Sequence, residues 1–226
     1  MCSRYSLTSP PDAVRHLFQC TGEDDFPPRY NIAPTDPVLV VKSGAGVARE
    51  LRLVRWGLIP PWVKDPREFA TLINARSETA AEKPSFRGAM RHKRCLVPTD
   101  GFYEWTGKSG SKQPHLIRLK TQKLFAFAGL YEEWMGADGS ELETMAILTT
   151  SSNADMTHIH DRMPVILQPD DYARWLDCRS GTADFVADIM RPLDEGLLEI
   201  VAVNPNLNNP RAEGPDLQTP PVATHR

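Results

Sequence analysis

The sequence predicts an α+β fold: a single domain over residues 1–226, with a curved, mostly antiparallel β-sheet core flanked by short helices. Three observations predict it. Hydrophobic residues at 41% and charged residues at 24% are those of an ordinary globular chain, and 226 residues suffice for one sizeable core. Short β-rich runs outnumber helical ones. Strands and helices do not alternate regularly, which argues against a doubly wound parallel sheet.

In chain order, Ser9-Pro10-Pro11-Asp12 opens a helix, with a capping hydroxyl, proline in the first turn and an acid near the positive end of the dipole. Ala13, Val14, Leu17 and Phe18 then share one face. Leu39–Val41 and Val47–Trp56 flank Ser43-Gly44-Ala45-Gly46 and read as a hairpin. His115–Leu119, crossing Thr121-Gln122-Lys123 to Leu124–Leu130, reads as a second. Met145–Thr149, Pro164–Leu167 and Leu198–Val203 are further strands, short and largely buried. Ser85 caps a helix through Arg91, and two more run over Asp170–Leu176 and Ala183–Met190. The Pro- and Asn-rich end follows from Asn204, with residues 205–226 a tail that wraps the surface or frays.

Composition narrows the function classes. No apolar run approaches the roughly 20 residues that span a bilayer, and the start of the chain lacks the apolar region of a secretory signal. Membrane partners are therefore not expected. Cys2, Cys20, Cys95 and Cys178 are scattered without a C-x-x-C pair, which predicts reduced thiols in a cytoplasmic setting. It does not predict a disulfide framework or a zinc ribbon. A net charge of −3 gives no global sign of nucleic-acid binding. Arg87, Arg91, His92, Lys93 and Arg94 nonetheless cluster, as a solvated helix face or as a groove following a phosphate backbone.

Cys2 carries the most informative chemistry. A small residue after the initiator methionine normally lets that methionine be removed, leaving a free α-amine beside the thiol. Such a 1,2-aminothiol captures aldehydes: the amine forms a Schiff base and the thiol closes a thiazolidine. Both groups are available near neutral pH, since an α-amine titrates at about 7.7–8.0 and a thiol at about 8.5.

Other candidates lie downstream. Glu104, between Tyr103 and Trp105, is either a partly desolvated carboxylate suited to moving protons or a rim glutamate facing water. His158 and His160 share a face if their segment is extended. That spacing suits a metal, but no third ligand falls at a recognisable distance, so no metal is expected. His160 is open to an acid/base role or a structural one. Asn74 and Arg76, two apart, share a face of a strand or extended loop. The amide suits a carbonyl or hydroxyl and the guanidinium suits phosphate oxygens, though either also fits a turn. Trp56 and Trp62, around Pro60-Pro61, form a stiff aromatic element belonging to the core or to a platform for an unpaired base.

Taken together, Asn31-Ile32-Ala33-Pro34-Thr35, Trp56–Trp62, Asn74–Thr79, Asp100–Trp105 and His158–Pro164, in that order behind Met1-Cys2, resemble the SRAP family of SOS response-associated peptidases or abasic-site processing proteins. The resemblance spans nearly the whole chain, to Val203-Asn204. It departs at Ser3, where the family usually has glycine. The resemblance implies binding to single-stranded DNA containing an abasic site and a covalent link through the N-terminal cysteine. Carried over by position, Cys2 matches the nucleophile, and Asn74, Glu104 and His160 match the active-site polar residues. Arg4, Arg76 and Arg162 match positions near the flanking phosphates, and Trp62 lies in a segment that meets DNA. The resemblance also implies an enzyme with crosslinking or lyase-type activity, removal of the residue before Cys2, no cofactor and, by default, a monomer. Two other classes remain open: an N-terminal-cysteine peptidase or amidohydrolase, and a non-catalytic single-strand-binding module.

Overall fold

The computed structural model describes residues 2–22, 26–44, 48–108, 110–179 and 183–221. The chain runs β1 (Tyr5–Leu7), α1 (Pro11–Phe18), β2 (Cys20–Thr21), β3 (Arg29–Ile32), β4 (Pro37–Ser43), β5 (Arg49–Trp56) and β6 (Asn74–Arg76). It continues through α2 (Arg87–His92), β7 (Arg94–Thr99), β8 (Gly101–Thr106), β9 (Gln113–Leu119), β10 (Phe125–Met135) and β11 (Glu141–Ser151). The last part holds β12 (Arg162–Pro164), β13 (Ile166–Leu167), α3 (Tyr172–Leu176) and β14 (Leu198–Ala202), with several 3₁₀ turns. The fold is α+β, with mostly antiparallel sheets and few, short helices. No helix among the described residues is long and apolar enough to cross a membrane.

Two sheets organise the chain. The first has the order β14-β9-β8-β1-β3 and is antiparallel throughout. The second has the order β12-β11-β10-β7-β4-β5-β2, with β13 on β10 and β6 on β11. Its curvature is complete. β4 pairs with β5, β5 with β11, β11 with β10, β10 with β7 and β7 with β4, so five strands close a ring. A continuous apolar run suits such a strand: Val38–Val41 are all buried, and so are Phe125–Leu130. β10 and β11, eleven residues each, meet at a turn where Gly139 takes a φ of 82°, a conformation glycine adopts without strain.

The hairpin over β4 and β5 forms as expected, although residues 45–47 at its tip lie outside the described residues. The second expected hairpin does not. β9 and β10 are both strands, but β9 pairs with β8 and β14 while β10 pairs with β7, β11 and β13. The turn at 121–123 therefore carries the chain from one sheet to the other.

The helices also differ in detail. α1 starts after Pro10 with no side-chain cap, because Ser9 Oγ donates instead to Asp100 Oδ1 at 2.7 Å. Val14 and Phe18 face the core. α2 follows Phe86, again without a side-chain cap from Ser85. Asp170–Leu176 divides into a 3₁₀ turn (Pro169–Asp171) and α3, and Asp184–Ile189 is 3₁₀ throughout.

The stretch after β14 lies over the outer face of the first sheet. Leu207 and Leu217 join Tyr103, Leu116 and Val203 in an apolar cluster separate from the main core. Gln218 Nε2 donates to Tyr103 Oη at 2.8 Å, and Asn31 Nδ2 donates to the carbonyls of Asn209 and Ala212, each at 3.0 Å.

Candidate active site

Cys2 lies just before β1 and is fully buried in the main core cluster. Two clamps hold the segment around it. Tyr103 donates its N–H to Arg4 O at 3.0 Å, and the buried Asp100 carboxylate collects the N–H and hydroxyl of both Thr8 and Ser9. The first binds residues 2–4 along β8. The second fixes where β1 ends.

Asn74, on β6, donates its Nδ2–H to the Cys2 carbonyl at 2.8 Å. Its Oδ1 is buried and has no hydrogen-bond partner among the described residues. A buried amide oxygen in that state keeps an acceptor position for a group not yet in place.

Glu104, on β8 opposite His115, is only 4% exposed, so the rim alternative gives way to the desolvated one. Burial pushes its carboxyl above the usual range, and the Lys112 charge pulls it back in part. Burial also pushes the Cys2 thiol far above its ordinary range, and the Glu104 charge adds to the rise. Sulfur and carboxylate thus sense one another, and near neutral pH the thiol keeps its hydrogen.

His160 reaches this group from a coiled turn and not from an extended strand. Met156 and Thr157 N–H groups both donate to Asn153 O at 3.1 Å, and His160 N–H donates to Met156 O at 3.0 Å. His158 is exposed and His160 half-buried, so the expected common face of the two is absent. His160 Nδ1 accepts the Arg162 backbone N–H at 2.9 Å. Asp161 Oδ1 stands 2.8 Å from the same nitrogen, a contact that becomes an ion pair only with the imidazolium. Among the described residues no group of three or more His, Cys, Asp or Glu is placed to hold a metal.

The remaining candidates divide. Arg4 turns towards the C-terminal wrap, with Nη1 donating to Asn31 Oδ1 at 2.8 Å and to Leu207 O at 3.3 Å. Arg162 grips Glu78 through both ends of its guanidinium. Arg76 is exposed and its side chain makes no hydrogen bond among the described residues. Trp62 is 57% exposed and stands edge-on to Phe69, whereas Trp56 is buried and donates its Nε1–H to Ile73 O at 2.9 Å. The basic stretch 87–94 is not one solvated face. Arg94 is buried and donates to the carbonyls of Met90, Trp175 and Asp177.

Ser3, Arg4, Trp105, Gly110, Lys112 and Asn208 line a cavity of about 430 Å³, which neither Cys2 nor Glu104 lines. Glu78, Thr149 and Asn31 also hold site residues; Asn31 and Glu78 lie in stretches the sequence singled out, but nothing local gave them a partner. Each acts on a residue remote in sequence.

The family model for SOS response associated peptidase, SRAP, matches residues 1–210. The chain belongs to the SRAP family. Abasic site processing protein YoqW of Bacillus subtilis is 41% identical over 221 residues, covering 96% of this chain and 98% of that protein. Abasic site processing protein HMCES of Xenopus tropicalis is 30% identical, covering 100% of this chain and 80% of that one. A crystal structure of a Bacteroides thetaiotaomicron protein superimposes with a TM-score of 0.86 at 27% identity, covering 97% of this chain and 99% of the other. The SRAP match begins at residue 1 and so includes Cys2 together with Asn74, Glu104 and His160.

Proposed function

We propose that this chain processes abasic sites in DNA, binding single-stranded DNA and linking to the lesion through Cys2 once Met1 is removed. The observation that carries the reading is the enclosure of Cys2, with its carbonyl on Asn74 and its thiol within reach of the charge of the buried Glu104 carboxyl. Relatives named abasic site processing proteins support the same substrate.

An abasic deoxyribose exchanges with a ring-opened aldehyde at C1′. His160 assists opening by giving a proton to the ring oxygen. The Cys2 amine attacks C1′, and Glu104, whose carboxyl burial pushes above its usual range, moves protons so that the carbinolamine loses water to give the Schiff base. Asn74 Oδ1 receives the amine hydrogen or a sugar hydroxyl. The thiol then adds across the C=N bond: sulfur bonds to C1′, its proton passes to nitrogen and the thiazolidine closes. One water is released overall. Closure removes the imine before it drives β-elimination, which shields the strand from cleavage. Placing amine and thiol beside one carbon supplies the rate, since well-oriented intramolecular closures reach effective molarities of about 10⁵ M or more. Arg4, Arg76, Arg162 and Trp62 are assigned to the flanking phosphates and bases.

A thiol held protonated by burial suits this amine-first sequence better than a peptidase, which needs a thiolate to begin. Mixing the Met1-processed protein with single-stranded DNA bearing one abasic site should give a heat-stable adduct on a denaturing gel. Cys2→Ala should abolish it. An adduct of normal yield from Cys2→Ala overturns the mechanism.

A further inference from the structure

We propose that Glu78 is a positioning residue, whose ion pair with Arg162 latches the strand carrying Asn74 to the segment carrying His160. The inference rests on the reading of the site given above. Arg162 Nη1 donates to Glu78 Oε1 at 2.6 Å, and Nη2 donates to Glu78 Oε2 at 2.9 Å and to Thr149 O at 2.6 Å. The same Thr149 carbonyl accepts the Ser77 N–H at 2.9 Å, and Thr149 pairs with Arg76 in the β6–β11 ladder. The backbone N–H of Arg162 is the donor to His160 Nδ1. One guanidinium thus joins the ends of two short segments, each bearing a residue of the site.

Its geometry suits the task. Two parallel N–H···O bonds in one plane fix direction as well as distance. Arg162 Nε is buried with no hydrogen-bond partner among the described residues, so among them the Nη contacts set the orientation of the fork. Stability does not explain the pair. The Glu78 side chain is 48% exposed, and ion pairs with one partner so open to water add little to folding. The Arg162 hydrogen bonds hold the Glu78 carboxyl below its usual range, which keeps the latch closed at neutral pH. β6 and β12 are three residues each and lie on opposite sides of β11, so each tilts easily without a cross-brace.

Two proteins test this: Glu78→Ala and Glu78→Gln. Both single variants should fold normally by circular dichroism and melting. Each should form the abasic-site adduct at least about tenfold more slowly, towards the roughly 10²-fold loss that a misplacement of about 1 Å can cause. The limb of the pH–rate profile that depends on His160 should move, a change that a merely structural role does not produce. Wild-type rate and pH profile in Glu78→Ala overturn the latch. The His160 ring ¹⁵N shifts, read without DNA, should change in Glu78→Ala; unchanged shifts overturn the latch as well. If wild-type protein forms no adduct, the functional reading fails, and the ¹⁵N shifts still decide the latch.

Discussion

Burial holds the Glu104 carboxyl above its ordinary range, so the folded protein binds that proton more tightly than the unfolded chain does. The protonated acid favours folding at low pH, and this contribution is lost as pH rises through the raised folded pKa. Above it the ionised side chain bears its full desolvation. Glu104→Gln keeps the shape and removes the charge. The variant should melt higher than wild type at about pH 8, and the gap should close by about pH 4, where both side chains are neutral. The same change should slow adduct formation by about 10²-fold or more, in keeping with loss of general acid–base catalysis. A lower melting temperature at the higher pH would refute the account. The aromatic neighbours Tyr103 and Trp105 made desolvation of Glu104 readable, but they did not exclude a rim position. What decided it was enclosure by remote parts of the chain. Arg94 illustrates the opposite outcome: its neighbours are basic and surface-like, while two of its three carbonyl partners lie some eighty residues away.

Elements were legible wherever a local signal also determined the partner. Ser43-Gly44-Ala45-Gly46 between two apolar runs gave a true hairpin. Thr121-Gln122-Lys123 looked alike, yet a reversal of direction does not say which neighbour a strand will take. β9 takes the preceding strand β8 and the distant β14 as its neighbours, and β10 takes the following strand β11 and the earlier β7, so that hairpin has no free edge on which to form. Ser9 failed as a cap for a related reason, since Asp100 offers its hydroxyl a buried, charged acceptor. That clamp carries its own prediction. Asp100→Ala leaves the N–H and hydroxyl donors of Thr8 and Ser9 without their acceptor, at about 1–3 kcal/mol for each donor left unsatisfied. Water reaches part of this group, so denaturant titration should show a net loss of about 2–4 kcal/mol. A loss below about 0.5 kcal/mol would show that the four contacts are dispensable.

At the scale of the molecule, the α+β class followed from composition and short β-runs, whereas the closure of five strands into a ring did not. Closure depends on the β5–β11 pairing, just two registered residue pairs with no signature of their own. The C-terminal stretch was recognisable as irregular, but its contacts with the site end of the chain were not. Through Leu207 O it holds Arg4, and through Asn209 and Ala212 it holds Asn31. Leu217, 4% exposed, helps pin this stretch to Tyr103 and Leu116. Leu217→Ala should cost about 2–5 kcal/mol, a fall in Tm of roughly 5–15 °C for a chain of this size. Unchanged melting would mean that the wrap contributes nothing to the fold.

The place of β1 has a mechanical consequence. Once a strand of DNA is bonded to Cys2, tension on that strand is delivered to β1. β1 is flanked by β8 on one side and β3 on the other, and Asp100 fastens the chain directly behind it. A pull along it loads two ladders together in shear and cannot peel one open from an edge. A motor running into such an adduct would have to draw a strand out of the middle of a sheet, so the proposed crosslink would be set in the fold much as a bolt is set in a wall.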